Sequence, residues 1–126
     1  MNQDTLLYRQ IHPLHVKPDG HVSSLAFRPM PKDESLLSVY DGDKITPEEA
    51  LAHFVKTLGC SSVGVLAVSG AECDAETLAV REDYGTHPYH ALIDFSGKRD
   101  KECRRISERL RGKAVARGWL ARDGEQ

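Results

Sequence analysis

Cysteine, aromatic residues and long apolar runs are all scarce in this sequence, and each shortage excludes a class of protein. The three cysteines, Cys60, Cys73 and Cys103, lie far apart and form no C-x-x-C pair, which suits neither a disulfide framework nor a thiolate zinc knuckle. They read as reduced, mostly buried small residues. The longest apolar stretch lies around residues 63–68, far below the roughly 20 residues that a membrane-crossing helix needs. Residues 1–5 offer neither a basic nor an apolar leader segment, so no secretory signal is expected and the default location is cytoplasmic. Aromatics make up 6% of the chain, and only Trp119 stands close to its most basic segment, so stacking partners for nucleic acid are few there.

Catalytic signatures are missing as well. There is no H-E-x-x-H, no G-x-S-x-G nucleophile elbow and no glycine-rich phosphate loop, since residues 68–71 lack the following lysine. The six histidines follow no ligand spacing, so neither a metal nor a cofactor is expected.

What is present fits one soluble domain spanning residues 1–126, with 40% apolar and 29% charged residues. Its net charge of −2 hides a division. Through residue 96 there are 7 Lys/Arg against 14 Asp/Glu, whereas residues 97–122 carry 10 against 3.

Local chemistry divides the chain into elements. Residues 6–11 read as a strand halted at His12-Pro13, because proline disfavours helix in the residue before it. Lys17-Pro18-Asp19-Gly20 forms a tight turn leading into an extended segment at residues 23–27. A proline-rich loop follows before the strand at 36–40, and Asp41-Gly42-Asp43 turns the chain. Thr46-Pro47-Glu48-Glu49 combines a hydroxyl cap, a proline at the first helical position and a glutamate closing the capping box, so a helix is expected over 47–58. Residues 63–68 are apolar on both faces and belong inside a sheet. Residues 77–80 suit an edge strand and 89–95 another strand. A helix over about 98–117, capped by Ser96, presents Cys103, Ile106, Leu110 and Ala114 as one stripe. The expected fold is α+β, a mostly antiparallel sheet packed by two helices.

Three constellations could carry chemistry. In His87-Pro88-Tyr89-His90, alternation puts Tyr89, Ala91, Ile93 and Phe95 towards the helices and His90 with Asp94 on the opposite face. Those two are about 13 Å apart along the strand, so a partner for His90 must come from a neighbouring strand. Arg9, His12 and Arg28 interrupt apolar segments, and arginines near a histidine would suit a phosphate or dinucleotide. The basic helix offers Arg104, Arg105, Arg109, Arg111 and Lys113 as a face for an acidic partner or for the chain's own acidic body.

The segments YRQIHP, AFRP, LSVYDG and HALIDF together resemble a family of small bacterial single-domain proteins. More distantly, Tyr8-Arg9, Tyr40, the helix from Pro47 and the strand at 63–68 occur in the order found in RES-type toxin domains of the ADP-ribosyltransferase-like class. That resemblance implies consumption of NAD. In that class the glutamate lies inside the helix, whereas Glu48 and Glu49 stand at its start here.

Three functional expectations follow. The first is a cytosolic accessory or protein-interaction protein, from a defence or toxin-related cassette. The second is an enzyme acting on a nucleotide or RNA phosphate, with Arg9, His12, Arg28, Tyr40 and His90 converging on one pocket. The third is nucleic-acid binding by the basic helix, which predicts affinity falling steeply with salt.

Overall fold

The computed structural model describes residues 1–124. One antiparallel sheet contains β1 (Leu6–Gln10), β2 (Leu36–Asp41), β3 (Gly64–Ser69), β4 (Ala79–Glu82), β5 (His90–Asp94) and β6 (Ala121–Arg122), in the order β4-β5-β2-β1-β3-β6. Three helices accompany it: α1 (Pro47–Ala52), α2 (Gly70–Ala75) and α3 (Asp100–Arg117). The α+β architecture matches the expectation, with α2 as an additional helix and with β6, in place of residues 23–27, as the sixth extended segment.

Strand alternation sorts the side chains into two layers. Leu7, Leu37, Val39, Leu66, Val68, Ala91 and Ile93 pack against Ile106, Leu110 and Ala114 of α3 and are capped by Ala26, Phe27 and Cys73. Tyr8, Tyr40, Val65 and Ala67 point the other way, onto Ala50, Leu51 and Phe54. Because helices cover both faces, β3 needs the doubly apolar sequence it has. Tyr89 departs from the expected alternation: it precedes β5 and packs with the α1 layer.

The capping box at α1 forms as its sequence dictates, with the Thr46 side chain accepting from Glu49 N (3.2 Å) and Glu49 Oε1 accepting from Thr46 N (3.2 Å). Beyond Ala52 the helix widens into a π turn, His53–Thr57. Such turns interrupt a helix at a cost and often accompany functional sites. Gly59 then takes the left-handed conformation at φ 68°.

Three local expectations are corrected. Residues 23–27 are not extended: Ser24–Phe27 is a 3₁₀ turn, because the Ser23 hydroxyl accepts from Leu25 N (3.1 Å) and offers the backbone an alternative to a ladder. Ser96 does not cap α3, because its amide (2.8 Å) and hydroxyl both bind the Asp94 carboxylate; Arg99 occupies the cap position, with Glu102 reaching back to it. The unexpected α2 begins with a second capping box, Ser69-x-x-Glu72, in which Glu72 N donates to Ser69 Oγ at 3.1 Å.

The division of charge has an internal use. Arg109 grips Glu76 through two bonds of 2.7 Å, and Arg117 binds Glu72 at 3.0 and 3.1 Å, so α3 is tied to α2 at two points. Burial works to raise the Glu72 carboxyl, and hydrogen bonds from Arg117 and Ser69 outweigh it, leaving a net lowering. Arg111 reaches the Val22 carbonyl at 3.4 Å. Arg104, Arg105 and Lys113 remain exposed.

Candidate functional site

Between the α1 face of the sheet and the π turn lies a cavity of about 160 Å³, lined in part by Gln10, Ser38, Tyr40, Phe54, Thr86, His87 and His90. The sheet register builds its floor. Tyr40 pairs with Tyr8 on one side and with His90 on the other, so three side chains that point the same way stand abreast across β1, β2 and β5. The π turn brings Phe54 over this row, and residues 86–87 close it from the β4–β5 connection.

Five rings crowd this corner. Tyr40 lies 4.9 Å from His87 and 5.6 Å from His53, centroid to centroid; His87 lies 4.8 Å from His53 and 5.1 Å from His90; and His53 meets Tyr89 at 5.3 Å. These separations belong to packed aromatic pairs. The Tyr40 hydroxyl and His53 Nδ1 are hydrogen-bonded at 2.7 Å. Burial, assisted by Cys60, pushes the Tyr40 phenol above its ordinary range, so it remains protonated.

The His90 ring is held by Asp83, as the spacing argument required: Asp83 follows β4, the strand beside β5, and its Oδ2 stands 2.8 Å from His90 Nδ1. The Thr86 hydroxyl donates to that same oxygen at 2.7 Å, and this bond, followed by the one to His90, keeps the Asp83 carboxyl below its usual range. A carboxylate on Nδ1 fixes the tautomer and leaves Nε2 for proton exchange. His87 is driven the other way. Burial first, then the neighbouring His90 and His53, lower it to about 4, so the ring is uncharged at neutral pH. Its Nδ1 accepts from Tyr89 N (3.2 Å), which puts the ring proton on Nε2.

Gln10 completes the polar wall. It is buried, its Nε2 donates to the Ala50 carbonyl at 3.1 Å, and its Oε1 has no partner. A buried acceptor left unpaired costs about 1–3 kcal/mol.

Of the five residues expected to converge, Tyr40 and His90 stand side by side here. Arg9 also borders the cavity, yet its guanidinium serves backbone carbonyls, donating to Ala26 (2.6 Å) and Ser38 (2.9 Å); burial lowers it to about 10. It shares the sheet face of Leu7 and Ile11, opposite Tyr40. His12 is exposed and caps a turn by accepting from Leu14 N at 3.0 Å. Arg28 lines a different groove of about 380 Å³ with Lys98 and Arg104, where Glu34 and Asp100 offset the cations. The arginine clamp on phosphate is therefore not assembled around His90. Sequence reasoning missed His53, Asp83 and Gln10. Asp83 was findable as the acid one hairpin away from His90; His53 reaches the cavity corner only because the helix widens there.

Among the described residues, no group of three or more His, Cys, Asp or Glu side chains is arranged to hold a metal ion, and no helix is long and apolar enough to cross a membrane. No family model, curated protein or solved structure matches this chain.

Proposed function

We propose that this domain is a small acid–base catalyst acting on a nucleoside or nucleotide, with the reacting ring seated in the cavity beside Tyr40 and His90. The observation that carries this reading is the Asp83–His90 pair, 2.8 Å apart, at the wall of an aromatic cavity. A carboxylate bonded to Nδ1 orients the imidazole and leaves Nε2 as the acid or base, and positioned acid–base groups contribute about 10²–10⁴-fold in rate. In this scheme His90 is the acid or base, Asp83 positions it, and Tyr40 with His87 supplies ring contacts and neutral hydrogen-bonding groups. Among the described residues, the guanidinium bordering this site belongs to Arg9 and is engaged by the Ala26 and Ser38 carbonyls, so the substrate is held through its ring.

The test is turnover on a panel of ribonucleosides, ribonucleotides, RNA dinucleotides and NAD, followed across pH. His90→Asn is expected to lower kcat/KM about 10²-fold or more, and Asp83→Asn to lower it less while distorting the pH profile. Turnover of none of these compounds, or His90→Asn retaining activity within about twofold, defeats the reading.

A second reading, an accessory protein with an acidic protein partner, draws support from Arg104, Arg105 and Lys113, exposed outside the pairs that tie α3 to α2. Replacing all three with alanine should abolish capture of that partner, and a capture profile unchanged by the triple variant removes the idea. The thiol state of Cys60, Cys73 and Cys103 suits a reducing, cytoplasmic setting for either reading.

A further inference from the structure

We propose that the ring in this cavity is an uncharged single six-membered nitrogen heterocycle of the pyrimidine-base class, recognised through Gln10 Oε1 and His87 Nε2. This rests on the reading of the cavity as the reaction site and adds the identity of the ring.

Size sets the first restriction. About 160 Å³ is close to the roughly 150 Å³ of an engineered cavity that accepts benzene, so the space matches one six-membered ring, and a purine would leave its second ring outside it. Charge sets the second. Arg9 borders the cavity, but its guanidinium is engaged by the carbonyls of Ala26 and Ser38 on the far face, and His87 is neutral, so these groups do not call for an ionised ligand. Shape sets the third, because Tyr40, Phe54 and His87 present rings against which a planar molecule packs.

The polar groups then select within that class. The Gln10 amide is oriented by the Ala50 carbonyl, which takes the Nε2 donor and leaves Oε1 as an acceptor lacking a hydrogen. The His87 ring is oriented by the Tyr89 amide on Nδ1, which leaves Nε2–H as a donor lacking an acceptor. A matching ring carries one N–H donor and one acceptor. Cytosine and uracil do; pyridine carries an acceptor alone.

Direct binding of cytosine and uracil, each as free base and as nucleoside, measured calorimetrically beside adenine and pyridine, tests this. At least one pyrimidine base or nucleoside should bind at least about tenfold more tightly than adenine and pyridine, and Gln10→Met should weaken it about tenfold, the loss expected for one hydrogen bond. Should Gln10→Met fail to fold, the wild-type protein still answers: the His87 Nε2–H nitrogen resonance moves to a saturable limit as the pyrimidine is added. Adenine binding as tightly as the pyrimidines, or a His87 resonance unmoved at saturation, overturns the proposal. The two readings fail separately. Gln10-dependent pyrimidine binding with an active His90→Asn variant preserves the recognition and ends the acid–base assignment. Turnover that depends on His90 with binding indifferent to Gln10 ends the recognition alone.

Discussion

Replacing Arg9 with methionine keeps most of the side chain's bulk and removes the donors to the Ala26 and Ser38 carbonyls. Because these bonds brace the 3₁₀ turn against β2, Arg9→Met is expected to lose about 2 kcal/mol in urea unfolding. It should leave the Tyr40–His90 cavity intact, a separation that ligand binding by the refolded variant checks. His87 makes a pH prediction. Its native pKa, near 4, lies below the ordinary histidine value of about 6.5. The unfolded chain therefore binds the proton more readily, and the contribution of His87 to stability is complete above about pH 6.5 and lost as pH falls towards 4. Allowing for solvent screening at a partly exposed ring, the loss is about 1–2 kcal/mol. His87→Gln should flatten this part of the stability curve, leaving the lower limb where the hydrogen-bonded carboxyls of Asp83, Glu72 and Glu76 protonate. A variant curve with the same slope between pH 6.5 and 4 would remove the assignment.

At the scale of elements, short stretches depend on single contacts. A Cβ on Gly64 would lie 2.6 Å from the Ala121 carbonyl oxygen and 2.8 Å from the Trp119 ring, both backbone or rigid groups. Gly64→Ala should therefore displace β6 from β3, read as faster amide exchange at Leu120 and Asp123, whose N–H groups bond the Val65 and Val63 carbonyls. Ser69→Ala removes the cap of α2 and is expected to cost about 1 kcal/mol, checked by thermal unfolding. These elements also mark how far the sequence could be read. Thr46-Pro47-Glu48-Glu49 announces α1 without ambiguity, and the stripe Ile106, Leu110, Ala114 gives the buried side of α3. Ser69-x-x-Glu72 has the same grammar as the first capping box, but it follows directly on an apolar strand and opens a six-residue helix too short to show periodicity. His90 and Tyr40 were legible as polar positions on apolar strands. Their company was not, because β2–β5 register and the π turn at His53 are set by tertiary packing rather than by local pattern.

The molecule as a whole spends much of its basic helix on its own body. With Arg109 on Glu76 and Arg117 on Glu72, the cations left for an outside partner are fewer than the sequence count suggests. If the exposed remainder bound nucleic acid, log affinity would fall linearly with log salt at a slope set by the phosphates neutralised. With Lys101, Arg104, Arg105 and Lys113 as the cations of α3 exposed outside these pairs, a fluorescence titration should give a slope no steeper than about −4, and a steeper one would mean that the internal pairs open on binding. The two outer strands have a different consequence. An unpaired sheet edge invites a strand from another molecule, and the invitation scales with its length and flatness. Here one edge is β6, two residues long, and the other is β4, four residues ending in Arg81 and Glu82. A sheet bounded in this way offers little template for growth, so concentrated solutions of the native chain should resist fibril formation even though its interior strand β3 is almost wholly aliphatic.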